Sequence, residues 1–177
     1  MPIETIHSEI DLRRLRHRVE EAATRAWESL RQLDDLPPLQ RMAALRFTAL
    51  GRHPIEDRAL NLIEQVNQTF TYLASFAAAE EIIRRHPNAL PIRLNLGTAS
   101  GSDLESPSAG VAAEVFAAVN RHNNGKLALD IKKVVGTSAR YKYVFYFCPG
   151  DDCARDRNDL LVELVPLSEE QTIGRGV

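Results

Sequence analysis

Residues 101–119 read GSDLESPSAGVAAEVFAAV and carry the most informative pattern in the chain. Pro107 presets the backbone for the first central position of a type I turn, and Gly110 tolerates the left-handed conformation that returns the chain. A loop from Pro107 to Gly110 would place Ser106 opposite Val111 in an antiparallel hairpin. The segment is therefore predicted to form two strands joined by a tight turn.

The hairpin register also places two acidic residues, Asp103 and Glu114, directly opposite each other on one face. Directly opposed residues have Cβ atoms about 4.5–5.5 Å apart, and like charges so placed destabilise a sheet. Each carboxylate would raise the pKa of the other. We therefore expect a cation between them, and Mg²⁺ suits the position because it typically takes one or two protein carboxylates plus water.

The alternative is a pair of acids without a binding role, in which Asp103 and Glu105 lie in solvent at the hairpin edge and Glu114 pairs with an arginine. Glu114, however, lies in the uncharged run AAEVFAAV, where an unpaired carboxylate is costly, and this favours a site. The opposite face of the hairpin should pack against helices; its members are Leu104, Val111, Ala113, Val115, Ala117 and Val119. One face would thus be core, while the other presents acids.

Apolar residues at helical spacing predict three helices before the hairpin. The first, over about 9–33, should bury its apolar stripe on the sheet or on a second copy of the chain; the stripe consists of Leu12, Leu15, Val19, Leu30 and Leu33. The second reads LQRMAALRFTALG with Gly51 as its C-cap. The third runs over about 55–85, and Pro87 closes it.

Segments rich in β-branched and aromatic residues predict the remaining strands, RLNLG, RYKYVFYFC and LLVELVPL, with the helix NNGKLALDIKKVVG before RYKYVFYFC. The tail after Ser168 is expected to be loose. This order predicts an α/β (α+β) fold in which a helical N-terminal half packs on a mixed central sheet. We expect one compact domain, with a helical region over 1–54 and the core over 55–177.

The net charge, the apolar windows and the cysteine content of the 177-residue chain restrict the classes of function that it can have. A formal net charge of −2 opposes a whole-surface electrostatic grip on nucleic acid, although the basic run RRLRHR near the N-terminus could contact phosphates if it is not a solvated helix face. The sequence shows no apolar signal core and no membrane-length apolar window, so we expect a cytoplasmic protein without membrane contact. Cys148 and Cys153 are too few for a zinc site and are interpreted as ordinary thiols.

At Asp103 and Glu114 the chain resembles the PD-(D/E)xK nuclease superfamily, which includes many restriction endonucleases and DNA-repair nucleases. In that family an Asp begins one strand of a hairpin, an acid on the next strand is followed two residues later by Lys, and a helix and another strand come after. The resemblance covers about residues 60–148 and implies a restriction-endonuclease-like core. Phe116 stands where the family has its lysine; some members carry that lysine on the following helix, and Lys126 is the candidate here.

The resemblance implies a nuclease that hydrolyses nucleic-acid phosphodiester bonds with Mg²⁺ or Mn²⁺, with DNA as the favoured substrate and a homodimer as the expected assembly. Asp103 and Glu114 would bind the metal ion, and Lys126 would orient the attacking water or stabilise the pentavalent phosphorane. Lys126 could instead be a solvated lysine that pairs with Asp130 one helical turn on.

Three further residues are candidates for the surroundings of the metal ion. Glu64 and Gln68 of the third helix could reach the site, although they could also form the polar flank of an amphipathic helix, and Glu105 lies on the hairpin itself. Two other functions stay open: a non-catalytic nucleic-acid-binding or accessory protein of the same fold, and a helical interaction or dimerisation protein.

Overall fold

The structure, a computed structural model, describes residues 3–120, 125–149 and 161–174. Its helices are α1 (Glu9–Arg31), α2 (Pro38–Phe47), α3 (Leu62–Arg85), α4 (Lys126–Val135) and α5 (Glu169–Thr172). Its strands are β1 (Ile3–Ile6), β2 (Gly51–Arg52), β3 (Ala59–Leu60), β4 (Ile92–Asn95), β5 (Leu104–Ser106), β6 (Val111–Ala117), β7 (Tyr141–Phe147) and β8 (Glu163–Pro166). This mixed α/β content confirms the fold class predicted from the sequence.

The central sheet of the described residues has six strands in the order β1-β4-β5-β6-β7-β8. The first four strands in that order pair antiparallel, whereas β6, β7 and β8 run parallel. A parallel pair needs a crossover connection, and α4 lies in the connection between β6 and β7. As a result α4 packs on one face of the sheet, while α1 and α3 pack on the other.

The β5–β6 hairpin has the register predicted from its turn. The Gly110 amide donates to the Pro107 carbonyl at 3.2 Å, and Gly110 has a left-handed φ of 65°. The observed strand pairs are Ser106 with Val111, Glu105 with Ala112, and Leu104 with Ala113. Extending this ladder by one residue brings Asp103 opposite Glu114, so that both acids lie on the same face of the sheet.

The larger core lies between the sheet and helices α1 and α3. The hairpin residues predicted to face this core are buried in it: Leu104, Val111, Ala113 and Val115. α1 buries its stripe within the same chain rather than on a second copy, and Leu12, Leu15 and Val19 are each 1% exposed. Leu33 is also buried, whereas Leu30 is half-buried. Val119 differs from the prediction because it lies beyond the end of β6 and is exposed.

The other face of the sheet, which carries the acids, is covered by α4. Leu127 and Val134 of this helix pack on Phe116 of β6 and on Tyr146 of β7 in a second hydrophobic cluster. The buried thiol of Cys148 joins that cluster, whereas Cys153 lies outside the described residues. The face that carries the acids is therefore packed as well, because the apolar stripe of α4 needs burial and the sheet provides it.

The segment between α1 and α3 also differs from the prediction. α2 ends at Phe47 with Thr48 as its C-cap, and Gly51 belongs to β2 instead of capping that helix. β2 and β3 form a separate two-stranded hairpin, and α3 begins at Leu62 rather than near residue 55. The third helix is therefore shorter at its start than its apolar spacing suggested.

A buried histidine explains the later start of α3. His53 Nδ1 accepts hydrogen bonds from the amides of Ile55 and Glu56 at 3.1 and 3.0 Å, which fixes a turn between β2 and β3. Because Nδ1 accepts, Nε2 carries the ring proton and donates to the Tyr72 hydroxyl at 3.0 Å. That hydroxyl donates in turn to the Leu96 carbonyl at 2.9 Å. The turn, α3 and the end of β4 are thus joined by one buried network.

Both ends of the chain add elements that the sequence did not reveal. β1 pairs antiparallel with β4, so the region over 1–54 contributes an edge strand to the same sheet as the core. α5 shows that a loose tail was the wrong expectation for residues 169–172. Arg16 of the basic run RRLRHR donates to the Thr172 carbonyl at 2.9 Å, and Arg18 donates to the Ile55 carbonyl. Within the described residues, no helix combines the length and the apolar character needed to cross a membrane.

The N-cap of α3 allows a direct test of where this helix begins. The Asn61 side chain accepts a hydrogen bond from the Glu64 amide at 2.9 Å. Loss of such a cap typically costs about 0.5–2 kcal/mol, so Asn61→Ala should lower the free energy of unfolding in urea by about 1 kcal/mol. Asn88→Ala is the control, because Asn88 is exposed after α3 and its loss should change stability by less than about 0.5 kcal/mol. Equal stability of the two variants would contradict the assigned start of α3.

Candidate active site

Lys133 of α4 lies between the two acids of the hairpin. Its ammonium donates a hydrogen bond to Glu114 Oε2 at 2.6 Å and lies 3.7 Å from Asp103 Oδ1. A second contact fixes Asp103, because its Oδ2 accepts a hydrogen bond from the Val115 amide at 3.0 Å. The cation expected between the carboxylates is therefore present as a lysine side chain, and the arginine partner considered for Glu114 is not the one observed.

Glu114 is the most buried member of this group, with 0% of its surface exposed. Its Oε1 has no hydrogen-bond partner among the described residues. Burial raises the pKa of Glu114 to about 7, and the negative charge of Asp103 adds to the rise, while the hydrogen bond from Lys133 opposes it. Burial by itself would lower the pKa of Lys133, but the hydrogen bond to Glu114 and the charge of Asp103 raise it overall. Near neutral pH, Glu114 therefore exchanges a proton while Lys133 stays charged.

A second charge pair on α4 involves the lysine that the sequence analysis favoured. Lys126 donates to Asp130 Oδ1 at 2.6 Å, so it forms the pair considered as its alternative. Asp130 is buried, and its Oδ2 has no hydrogen-bond partner in the described chain. Burial raises the pKa of Asp130, and the hydrogen bond from Lys126 opposes the rise. The lysine that contacts Glu114 is Lys133, whereas Lys126 contacts Asp130.

The signal for Lys133 was present in the sequence as helical spacing. Lys126, Asp130 and Lys133 stand at i, i+4 and i+7 and therefore share one face of α4. Lys133 lies in the last turn of the helix, where the helix dipole favours a cation. Lys133 was missed because the lysine role was assigned to the first turn of the helix, whereas Asp130 was considered only as the partner of Lys126.

A cleft of about 600 Å³, which we call the site cleft, is lined by Asp103 and Lys126, whereas Glu114 and Lys133 are not among its described lining residues. Its polar lining comes from α3, β4, the hairpin and α4, and includes Asn67, Thr71, Ser75, Asn95, Asp103 and Lys126. Glu64 and Gln68 do not line it, since Glu64 is exposed elsewhere on α3 and Gln68 is half-buried. The polar helix residues at the site are therefore neutral ones on a neighbouring stripe of α3.

Glu105 lies on the acidic face but is engaged by other partners. Arg93 donates to Glu105 Oε2 at 3.2 Å, and the Ser102 amide donates to Oε1 at 3.0 Å. These contacts satisfy both oxygens of the carboxylate. Glu105 is therefore a structural acid of the hairpin rather than a member of the Lys133 group.

Asp103 and Glu114 together offer carboxylate oxygens of the kind that Mg²⁺ or Mn²⁺ takes. Glu114 Oε1 is a buried carboxylate oxygen without a partner in the described chain, and hard divalent cations take such oxygens. No group of three or more His, Cys, Asp and Glu side chains in the described ranges could hold a metal ion, so water and substrate oxygens would complete the coordination. A metal ion there has to displace the Lys133 ammonium, whose side chain is 45% exposed and can move towards solvent.

Comparison of the chain with protein-family models, with curated proteins and with solved structures found no match.

Proposed function

We propose that the chain is a nuclease that hydrolyses phosphodiester bonds in nucleic acid, with DNA as the expected substrate and Mg²⁺ or Mn²⁺ as the cofactor. The observation that carries the proposal is the Lys133 ammonium, which lies 2.6 Å from Glu114 and 3.7 Å from Asp103, and Asp103 lines the site cleft. Phosphodiester hydrolysis needs a cation at the phosphate and a positioned water. Two carboxylates with a lysine between them have the chemistry for both tasks.

The order of the elements supports the resemblance to the PD-(D/E)xK superfamily. α3, the antiparallel strands β4, β5 and β6, the helix α4 and the parallel strand β7 follow one another as that resemblance implies. Asp103 directly precedes β5, and Glu114 lies on β6. We therefore propose a restriction-endonuclease-like core in which Lys133 replaces Lys126 as the relocated lysine. The homodimer and the cytoplasmic location stay predictions.

The proposed roles follow from the contacts of each side chain. Mg²⁺ bound by the two carboxylates would polarise the scissile phosphate and activate a water molecule. Asp103 is held for this task by the Val115 amide. Lys133 keeps its proton and would hold the attacking water or a phosphate oxygen. The water oxygen forms a bond to phosphorus, the bond from phosphorus to the bridging oxygen breaks, and solvent exchanges the protons of the attacking and leaving oxygens.

One observation favours a second candidate, a non-catalytic nucleic-acid-binding or accessory protein of the same fold. Lys133 already neutralises Glu114, so the acids have a cation without any metal ion.

A helical interaction protein is supported less by α1, whose stripe is buried, than by α2, which buries none of its residues. The exposed apolar side chains of that region are Trp27, Leu39, Met42 and Phe47.

Metal binding separates the enzyme from the accessory protein. A ligand that binds only the folded state at about ten times its Kd adds about 1.4 kcal/mol of stability. We therefore expect Mn²⁺ or Mg²⁺ to raise the Tm by about 3–6 °C for a chain of this size. The same metal ions should support cleavage of plasmid, single-stranded DNA or RNA, and Asp103→Ala should lose both the Tm shift and the cleavage.

The matched control is Glu105→Ala, which removes an acid from the same face of the same hairpin. Its carboxylate is engaged by Arg93 and Ser102, so the Tm shift with metal and the cleavage should both persist. If the wild-type protein shows neither a Tm shift nor cleavage of any of the three substrates, the nuclease proposal is wrong and the accessory function is preferred.

A further inference from the structure

A second pocket, of about 530 Å³, adjoins the site cleft, and we call it the apolar pocket. The two spaces share lining residues from the middle of α3 and from the end of β6, among them Asn67, Thr71 and Val119. The two spaces therefore adjoin, and we call them together the groove; Asp103 lines the half formed by the site cleft. A volume of this size lies within the range of about 300–1,000 Å³ that small-molecule sites typically have.

The lining of the apolar pocket differs from that of the site cleft. Its walls are formed by Val66, Phe70, Val119, Phe147, Pro149 and Ile173. Glu169 is the only charged residue among its described lining residues, so the pocket offers no cation to a phosphate. Asn67 and Thr71 stand at the junction with the cleft and provide an amide and a hydroxyl group. A planar, mostly apolar group with polar edges fits this combination.

A nucleobase of a single strand has these properties. Proteins bind single strands by placing unstacked bases on apolar and aromatic side chains, while the base edges meet polar groups. A base in a duplex is paired and stacked, and it has to be extruded before it can enter such a pocket. The net charge of −2 gives no general electrostatic grip that would compensate for this cost.

We propose that the apolar pocket binds one unstacked nucleobase of a single-stranded nucleic acid whose phosphate backbone passes Asp103 in the site cleft. This inference rests on the proposed nuclease function and names its substrate class. The adjacency of the two spaces carries it, because a strand whose phosphate lies at Asp103 in the site cleft passes the lining residues that the cleft shares with the apolar pocket. Single strands, or the frayed ends of duplexes, are then preferred over intact duplex.

The test is a binding measurement that does not depend on catalysis. Fluorescence anisotropy in EDTA would measure how tightly the protein binds a labelled oligothymidylate and the same oligonucleotide with abasic sites. Base contacts of this kind are worth about 5- to 150-fold in affinity, so we expect the wild-type protein to bind the abasic strand at least about tenfold more weakly. A duplex of the same sequence should also bind more weakly than the single strand.

Two exposed wall residues allow the pocket to be altered without a change of charge. Val66 and Ile173 are 52% and 51% exposed, so the double variant Val66→Asn/Ile173→Asn should fold normally. We expect it to bind the oligothymidylate about tenfold more weakly than wild type and to bind the abasic strand equally well. Met42→Asn, an exposed residue of α2 outside the groove, is the matched control and should behave like wild type.

The outcomes distinguish this inference from the nuclease proposal. The base pocket is wrong if the wild-type protein binds the normal and abasic strands equally well, even if cleavage is observed. It is also wrong if the double variant loses the same affinity for both strands. Base-dependent binding that the double variant abolishes supports the pocket even if no cleavage is found, and in that case the chain is a single-strand-binding protein rather than a nuclease.

Discussion

Metal-dependent cleavage should fall about 10²–10³-fold in Lys133→Ala, because removal of one preorganised charged group at a reacting phosphate typically costs that much. Lys126→Ala should lose less than about tenfold, since the Lys126 ammonium is bound to Asp130 rather than to Glu114. Lys132→Ala is the matched control. It removes an exposed lysine from the same last turn of α4 and should leave cleavage unchanged.

A second measurement shows that the loss in Lys133→Ala is not a loss of folding. Without the ammonium beside Glu114, a divalent cation no longer competes with it, so Mn²⁺ should raise the Tm of Lys133→Ala at least as much as that of wild type. Normal cleavage by Lys133→Ala together with inactivity of Lys126→Ala would reverse our assignment. The lysine role would then return to the first turn of α4.

Stability should fall as the pH rises through the pKa of Glu114. In the unfolded chain this group has its ordinary pKa near 4.5, whereas burial raises the pKa to about 7 in the fold. Between these values the unfolded state gives up the proton first, so the wild-type protein loses about 3 kcal/mol from about pH 4.5 to about pH 8 through this group. Glu114→Gln cannot ionise and should not show that loss.

The measurement is the difference in unfolding free energy between Glu114→Gln and wild type in urea at about pH 5 and about pH 8. Other groups titrate in both proteins, including His53, whose pKa is lowered by burial, and their contributions cancel in the difference. The variant should gain about 2–3 kcal/mol relative to wild type between the two conditions. A difference that does not change with pH would show that Glu114 is ionised throughout, with Lys133 as a full partner.

The parts of the fold that could be predicted are those determined by local sequence. The turn residues Pro107 and Gly110 determine the hairpin register, because side-chain direction alternates with a period of two and a fixed loop leaves no freedom. The α1 stripe could be predicted equally well, because helical spacing sustained over about six turns rarely arises by chance. Both features are confirmed, including the face on which Asp103 and Glu114 lie.

The features that were missed depend on contacts between distant segments. β1 is only four residues long and becomes a strand by pairing with β4. The start of α3 depends on His53, a buried residue whose ring accepts hydrogen bonds from two backbone amides. Those amides therefore belong to a turn and not to an earlier start of the helix. No local pattern identifies such a histidine, since its effect requires Tyr72 on the opposite side of the turn.

The same reasoning applies to the site. The sequence placed the two acids correctly because both belong to one hairpin, whereas the lysine comes from α4. Lys126 and Lys133 share a helix face, and the choice between them is made by how α4 docks on the sheet. That docking depends on Leu127 and Val134, which pack on Phe116 and Tyr146 of the sheet.

The position two residues after Glu114 is occupied by Phe116, whose ring stacks on Tyr146 at a centroid distance of 5.9 Å. Carrying the cation on α4 therefore lets the strand give this position to the hydrophobic core. The arrangement divides the site between two structural units, since the acids stay in register as long as the hairpin persists, while the ammonium stays near them only while α4 remains docked. Partial loosening of the crossover helix would disassemble the charged group inside a largely folded sheet, which makes the site a sensitive reporter of tertiary order.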